Sequence, residues 1–111
     1  MKVYDLANEL AEEIKKSEEY VTYRTAKEAI NLNYELKKKI DKFENARYEA
    51  QIVAIQTGKD DEQKMKNVQE LYGELIQNEE ASKYFDAEIR FNVLIADVNK
   101  IIGNVVQELL K

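Results

Sequence analysis

Apolar side chains recur every three or four residues along almost the whole chain, which is the spacing of amphipathic α-helices. Proline is absent and glycine occurs three times, so long helices face few interruptions. The pattern predicts an all-α fold of about five helices, two of them long, packed antiparallel as an oligomeric helical bundle. The predicted helices are Val3–Lys16, a second from Ser17 to Asn31 or Asn33, Tyr34–Gln56, Asp61–Gln77, and a last one from Asn78 onward.

The predicted boundaries rest on helix-capping residues. Ser17 and Asn78 each precede a Glu pair, which is typical of an N-cap followed by an acidic first turn. Gly58 suits the left-handed position that ends a helix, and Asp60 or Asp61 suits the next N-cap. These capping residues therefore predict where the helices begin and end without any information on how the helices pack.

The last helix is apolar over more than one face. One continuous seam runs along it, and a second set of apolar residues, including Leu94, Ile101 and Val106, lies beside that seam. A helix of ~30 residues is ~45 Å long, more than the shorter helices can enclose on both sides. We therefore predict a homodimer or tetramer. The residues expected to form the self-association seam, or the core beneath it, are Phe91, Ile95, Val98, Ile102 and Val105.

A monomeric alternative remains open, in which the first two helices fold over the second half of the last helix. Gly103 also has two interpretations, since a glycine inside a helix costs up to ~1 kcal/mol relative to alanine. Either a partner helix approaches closely there, or the glycine is tolerated near the helix end.

Two charged residues interrupt the apolar seams. The seam of the third helix (Leu36, Ile40, Phe43, Arg47, Ala50, Ala54) alternates steps of four and three like a coiled coil. Arg47 lies on that seam, and Glu88 lies on the seam of the last helix. If the two helices pack antiparallel, these residues could form an ion pair that sets the register. The alternative is that each side chain extends to the edge of its seam.

Composition narrows the class of protein. Charged residues make up 35% of the 111 residues and hydrophobic ones 44%, which is too apolar for a disordered chain and too charged for a membrane protein. The length fits a single domain, residues 1–111. The N-terminus is acidic where a signal peptide is apolar, and cysteine is absent, so we expect a cytoplasmic protein that does not contact membranes. The net charge of −5 disfavours direct nucleic-acid binding and favours protein partners.

The residue types needed for most chemistry are missing. Histidine and cysteine are absent, and the glycines lie at 58, 73 and 103 rather than in a phosphate-binding loop. We therefore assign no catalytic, cofactor-binding or metal-binding residue and expect no enzyme. Two alternatives remain: a carboxylate metal-binding bundle, and an RNA-associated factor that uses the lysine-rich face of the third helix, with Lys38 and Lys42 as the candidate basic patch. No aromatic platform is evident beside those lysines in the sequence.

Several stretches resemble one known family. "SEEY" at the second helix, "FENARYEAQ" in the third, "NEEASKYFDAE" at the start of the last helix and above all "AEIRFNVLIADVNKII" (residues 87–102) are similar to the YlbF/YmcA family of small bacterial proteins, especially its YheA-like branch. The resemblance covers nearly the whole chain and implies long antiparallel helices that associate into dimers or larger assemblies.

The resemblance also implies a regulatory function. Better-studied relatives are non-catalytic accessory regulators of competence, biofilm formation and sporulation, and work in a complex with ribonuclease Y. Those relatives carry C-terminal cysteines associated with iron–sulfur clusters. This chain has no cysteine, so the cluster does not transfer to it. Together, the residues and the resemblance predict a non-enzymatic helical oligomerisation or adaptor protein that binds itself and another protein.

Overall fold

The computed structural model describes residues 1–111 and confirms the all-α prediction, since five helices cover 89% of the chain and no strand is present. The helices are α1 (Lys2–Lys16), α2 (Glu18–Asn31), α3 (Tyr34–Thr57), α4 (Glu62–Leu75) and α5 (Glu79–Leu110). Each helix begins and ends within two residues of its predicted boundary. None of the five is both long and apolar enough to cross a membrane.

The predicted caps form the expected hydrogen bonds. The side-chain oxygen of Ser17 accepts from the amide of Tyr20 at 3.2 Å, and that of Asn78 accepts from the amide of Ala81 at 3.0 Å. Asp61, rather than Asp60, caps α4 by accepting from the amide of Lys64 at 3.0 Å. Such bonds satisfy amides that have no partner within the helix, so the short polar residue determines where the helix starts.

Gly58 ends α3 in the left-handed conformation, with φ +74°. Its amide donates to the carbonyl of Ala54 at 2.9 Å. A residue with a Cβ is strained at this φ, so the glycine is required by the backbone rather than by space, and nothing lies within 4 Å of the position its Cβ would take.

The contacts divide the chain into two compact units, residues 28–83 and residues 1–27 with 84–111. In unit 28–83, α3 and α4 form an antiparallel hairpin about the short turn 58–61. The rings of Phe43 and Tyr72 lie 5.7 Å apart between these helices. The buried residues of this unit are Ile30, Leu36, Ile40, Phe43, Ala50, Leu75 and Ala81, which include most of the predicted seam of α3.

In the other unit, α2 packs on the first half of α5 through aromatic rings. The Tyr23 ring lies 5.6 Å from that of Phe91 and 5.8 Å from that of Tyr84, and the Tyr20 ring lies 5.9 Å from that of Phe91. Tyr20 and Tyr23 are three residues apart and therefore share the face of α2 that meets α5. The single-domain organisation of residues 1–111 stays a prediction.

Candidate interaction surface

The predicted seam of α5 changes from buried to exposed along its length. Tyr84, near the start of the helix, is buried, whereas Phe91, Ile95 and Val98 are half-buried. Ile102 and Val105, the last two residues assigned to the seam, are 55% and 68% exposed. Packing within the chain therefore covers the first part of the seam and leaves its end in water. Whether this end mediates self-association stays a prediction.

The last three turns of α5 carry a larger exposed apolar surface, which we name the C-terminal face. Its six side chains are between 53% and 85% exposed: Ile101, Ile102, Val105, Val106, Leu109 and Leu110. At 3.6 residues per turn they spread over about half of the helix circumference. Six neighbouring large apolar side chains differ from the scattered exposed residues that every protein carries, because contiguous patches mark interaction sites.

A second uncovered apolar surface lies on α1, and we name it the α1 face. It consists of Val3, Tyr4, Leu6 and Leu10, which are 39% to 67% exposed. No residue of α1 is buried, and only Ile14 is half-buried. The monomeric alternative required the first two helices to cover the second half of α5. In this chain α1 does not do so, since both faces remain exposed.

A polar contact is built into the aromatic packing of α2 on α5. The Tyr23 hydroxyl donates to the Glu88 carboxylate, with 3.3 Å between the oxygens. Burial raises the pKa of Tyr23 well above its ordinary value, and the neighbouring Tyr84 hydroxyl and Glu88 carboxylate raise it further. Tyr23 therefore keeps its proton and serves as a neutral donor to the charge on the α5 seam.

Sequence reasoning singled out Glu88 but missed Tyr23 as its partner. The sequence does hold one clue to this contact. Tyr20 and Tyr23 are three residues apart on a short helix, so they share one face, but the spacing does not show which helix that face packs against. Phe85 and Ala87 were also missed, although each is only 3% exposed. They lie off the predicted seam of α5, at a point where the helix is covered on more than one side.

Arg47, on the predicted seam of α3, is partly exposed and contacts residues of its own helix. Its side chain is 45% exposed, its guanidinium carbon lies 5.3 Å from the centre of the Phe43 ring, and it forms an ion pair with Glu44 one turn earlier. The pairing of Arg47 with Glu88 stays a prediction.

The lysine-rich face of α3 has an aromatic neighbour, Tyr34, one turn before Lys38. The Lys38 ammonium lies 6.0 Å from the centre of the Tyr34 ring, which is exposed. Lys39 and Lys42 line an open cleft of about 230 Å³ between α3 and α4. The other residues that line the cleft are three apolar and two polar ones: Leu36, Leu71, Leu75, Glu74 and Asn78. Direct binding of RNA to this face stays a prediction.

The carboxylates do not gather into a metal site. No group of three or more Asp or Glu side chains lies close enough together to hold a metal ion. The acidic residues at the helix starts instead act locally, as Glu79 does by pairing with Lys83 at 3.3 Å on the surface of α5. Binding of a metal ion by the carboxylates of this chain stays a prediction.

Known proteins are similar to this chain in sequence and in fold. Residues 3–107 match the family described as "Control of competence regulator ComK, YlbF/YmcA". A UPF0342 protein of Halothermothrix orenii is 38% identical over 92% of this chain and 86% of its own length. One of Streptococcus sanguinis is 33% identical over 98% of this chain and 97% of its own.

Solved structures agree on the fold. A Bacillus stearothermophilus protein of unknown function (DUF964) superposes with a TM-score of 0.85 at 17% identity, covering 100% of this chain and 97% of that one. Bacillus subtilis RicA, solved in complex with RicF, superposes with a TM-score of 0.63 at 24% identity, covering 99% and 97%. At these identities the structures establish the shared fold. The family description names a regulatory role and no enzymatic reaction. The match over nearly the whole chain confirms the resemblance read from the sequence: the protein belongs to the bacterial YlbF/YmcA family.

Proposed function

We propose that this protein is a non-enzymatic regulatory adaptor of the bacterial cytoplasm that self-associates through the C-terminal face of α5 and presents its remaining helix surfaces to another protein. The family description, control of a competence regulator, supports a regulatory role. The RicA–RicF complex supports a protein partner, because a protein of the same fold forms a complex with another protein.

The observation that carries the proposal is the uncovered C-terminal face. Full burial of a Val, Leu or Ile side chain is worth roughly 1.5–3 kcal/mol. Each of the six side chains of the face is more than half exposed, so each has about 1 kcal/mol still to gain from burial. A second copy can cover this face with its own C-terminal face. A chain that stays monomeric leaves the whole face in water.

The first test is the mass of the protein in solution, measured by light scattering over a dilution series. We expect a dimer or tetramer for the wild type and a monomer for Val105→Asp, because a carboxylate without a partner in an apolar interface is costly. Gln107→Asp is the matched control: it adds the same charge two residues away, on the opposite side of α5, and is expected to keep the wild-type mass.

Circular dichroism separates dissociation from unfolding. Val105 is 68% exposed in the single chain, so Val105→Asp should retain its helical signal. Ile95→Asp and Val98→Asp alter half-buried positions and should also lower the melting temperature. A wild type that is monomeric at every concentration, or equal effects of Val105→Asp and Gln107→Asp, would refute the proposal.

A further inference from the structure

The cleft between α3 and α4 brings lysines and leucines together at the end of the hairpin away from the turn 58–61. We infer that this α3–α4 cleft binds a short amphipathic helix of a partner protein, one whose apolar side chains are flanked by Asp or Glu. The inference rests on the part of the proposed function in which the chain presents its surfaces to another protein. It names the surface and the chemistry of that partner.

The first support is the spacing of the lining residues. On α3 they are Leu36, Lys39 and Lys42, three residues apart, and on α4 they include Leu71 and Leu75, four residues apart. These steps place side chains in a row along one side of a helix, so the cleft runs along the hairpin. Residues 36–42 span about 9 Å at the α-helical rise, which is nearly two turns.

The size of the cleft fits an apolar anchor from a partner. Its volume is about 230 Å³. A cavity of roughly 150 Å³ is enough to hold benzene in another protein, so this cleft has room for at least one large apolar side chain. Helix-in-groove recognition uses such anchors, three or four residues apart on the bound helix.

The second support is positive charge that has no partner within the chain. Residues 34–43 contain four lysines against one Glu and one Asp, in a chain of net charge −5. Lys37 pairs with Asp41 at 3.2 Å, whereas Lys39 and Lys42 are exposed and pair with no carboxylate. Glu74, the one acidic residue of the lining, pairs with neither of them. Carboxylates on a bound helix would supply the missing partners, and such complementarity selects one ligand over another.

The third support is the apolar part of the lining, which a purely charged ligand would not use. Leu36 and Leu75 are 5% and 4% exposed, whereas Leu71 is only half-buried. Leu71 is therefore the leucine of the cleft that gains most from further cover. A ligand that covers Leu71 and also reaches the two lysines has to be both apolar and acidic.

RNA is the other ligand that lysines attract. Proteins bind single-stranded RNA through phosphate contacts and through stacking of bases on aromatic rings. No aromatic residue lines the cleft, because the exposed Tyr34 ring lies beside Lys38 outside it. The leucines of the lining therefore favour a protein ligand.

The test selects ligands from a display library of random 12-residue peptides, with the immobilised full-length protein as bait. We expect the enriched peptides to share apolar residues three or four apart with Asp or Glu beside them. A fluorescein-labelled synthetic copy of an enriched peptide then gives Kd by fluorescence anisotropy. We expect Kd to rise at least tenfold in Lys39→Glu/Lys42→Glu, and to rise with salt in the wild type.

Lys59→Glu/Lys66→Glu is the matched control. It makes the same change in charge at two exposed lysines outside the cleft, so Kd should stay within twofold of the wild type. Because all four lysines are exposed, both double variants should keep the helical signal in circular dichroism. Leu71→Ala leaves the charge unchanged and should weaken binding several-fold.

The inference is overturned if no peptide is enriched, if the enriched peptides lack acidic residues, or if the two double variants bind equally well. A fluorescein-labelled 12-nucleotide RNA serves as the competing probe. If it binds the wild type, loses binding in Lys39→Glu/Lys42→Glu, and no acidic peptide binds, the cleft belongs to RNA and the inference is wrong.

Light scattering separates this inference from the proposed self-association. A wild type that self-associates but enriches no peptide overturns the inference and leaves self-association standing. A monomer that binds acidic peptides through Lys39 and Lys42 does the reverse. If Lys39→Glu/Lys42→Glu itself lowers the mass of the wild-type assembly, a second copy occupies the cleft and the inference is wrong.

Discussion

The change in stability caused by Gly103→Ala reports whether another group packs against the last turns of α5. Gly103 is seven residues from the end of the helix, and nothing lies within 4 Å of the position its Cβ would occupy. An alanine there gains the helix-propensity difference, about 0.8–1 kcal/mol, with no steric cost within the chain. For a domain of ~100 residues this corresponds to a rise in melting temperature of roughly 4–8 °C.

The assay is thermal and urea unfolding, followed by circular dichroism, in the Val105→Asp background. We expect this variant to be monomeric, so only contacts within one chain affect the result. Gly58→Ala is the control, because it should lower the stability where Gly103→Ala should raise it. Its φ of +74° is strained for any residue with a Cβ, so we expect a loss of roughly 1–2 kcal/mol despite the equally open space around it. A fall in stability for Gly103→Ala in this background would refute the reasoning, because a group absent from the structure would then have to meet the new methyl.

Repeating Gly103→Ala without the second substitution decides between the two interpretations of this glycine. An equal gain in the self-associating protein means that the glycine is merely tolerated near the helix end. A smaller gain, or a loss together with weaker association, means that a partner helix approaches the backbone at this position.

Three further predictions concern the polar residues. Tyr23→Phe should lower the free energy of unfolding in urea by about 1 kcal/mol, because it removes the hydroxyl that donates to Glu88. The pKa of Tyr23 is raised in the folded state, so folding favours the protonated hydroxyl. The free energy of unfolding of the wild type should therefore fall as pH rises above about 10, and that of Tyr23→Phe should fall less. Identical pH profiles for the two proteins would contradict this. A double-mutant cycle of Arg47→Met and Glu88→Leu tests the ion pair: the double variant should cost less than the sum of the singles, and additive effects would reject the pair. We expect no salt-sensitive RNA binding, and binding that disappears on Lys38→Glu with Lys42→Glu would instead establish the RNA-associated alternative.

The helices were predictable because their boundaries depend on local chemistry. An Asn or Ser side chain caps amides within three residues of itself, as Asn78 and Ser17 do, and Gly58 ends α3 through its own backbone conformation. None of these interactions requires knowledge of the tertiary fold. The periodicity of apolar residues then assigns the inward face of α3 for the same local reason.

The candidate site was only half predictable. The seam from Phe91 to Val105 follows from spacing, but the spacing is equally regular at Phe91, which is half-buried, and at Val105, which is 68% exposed. The bond from Tyr23 to Glu88 joins residues 65 positions apart, and no local pattern specifies it. The exposure of α1 could not be predicted either, because its amphipathic pattern is the same as that of a helix packed within its own chain.

The sequence by itself determined that the chain forms five capped, amphipathic helices and which side chains of each need cover from water. The tertiary structure decided which of those faces find that cover within one chain: α3 on α4, α2 on the first half of α5, and neither α1 nor the C-terminal face. The reason lies in the forces themselves. Helix and cap hydrogen bonds are directional and short-range, so neighbouring residues specify them. Hydrophobic burial is non-directional, so an apolar stripe specifies the need for a partner without specifying which surface provides it.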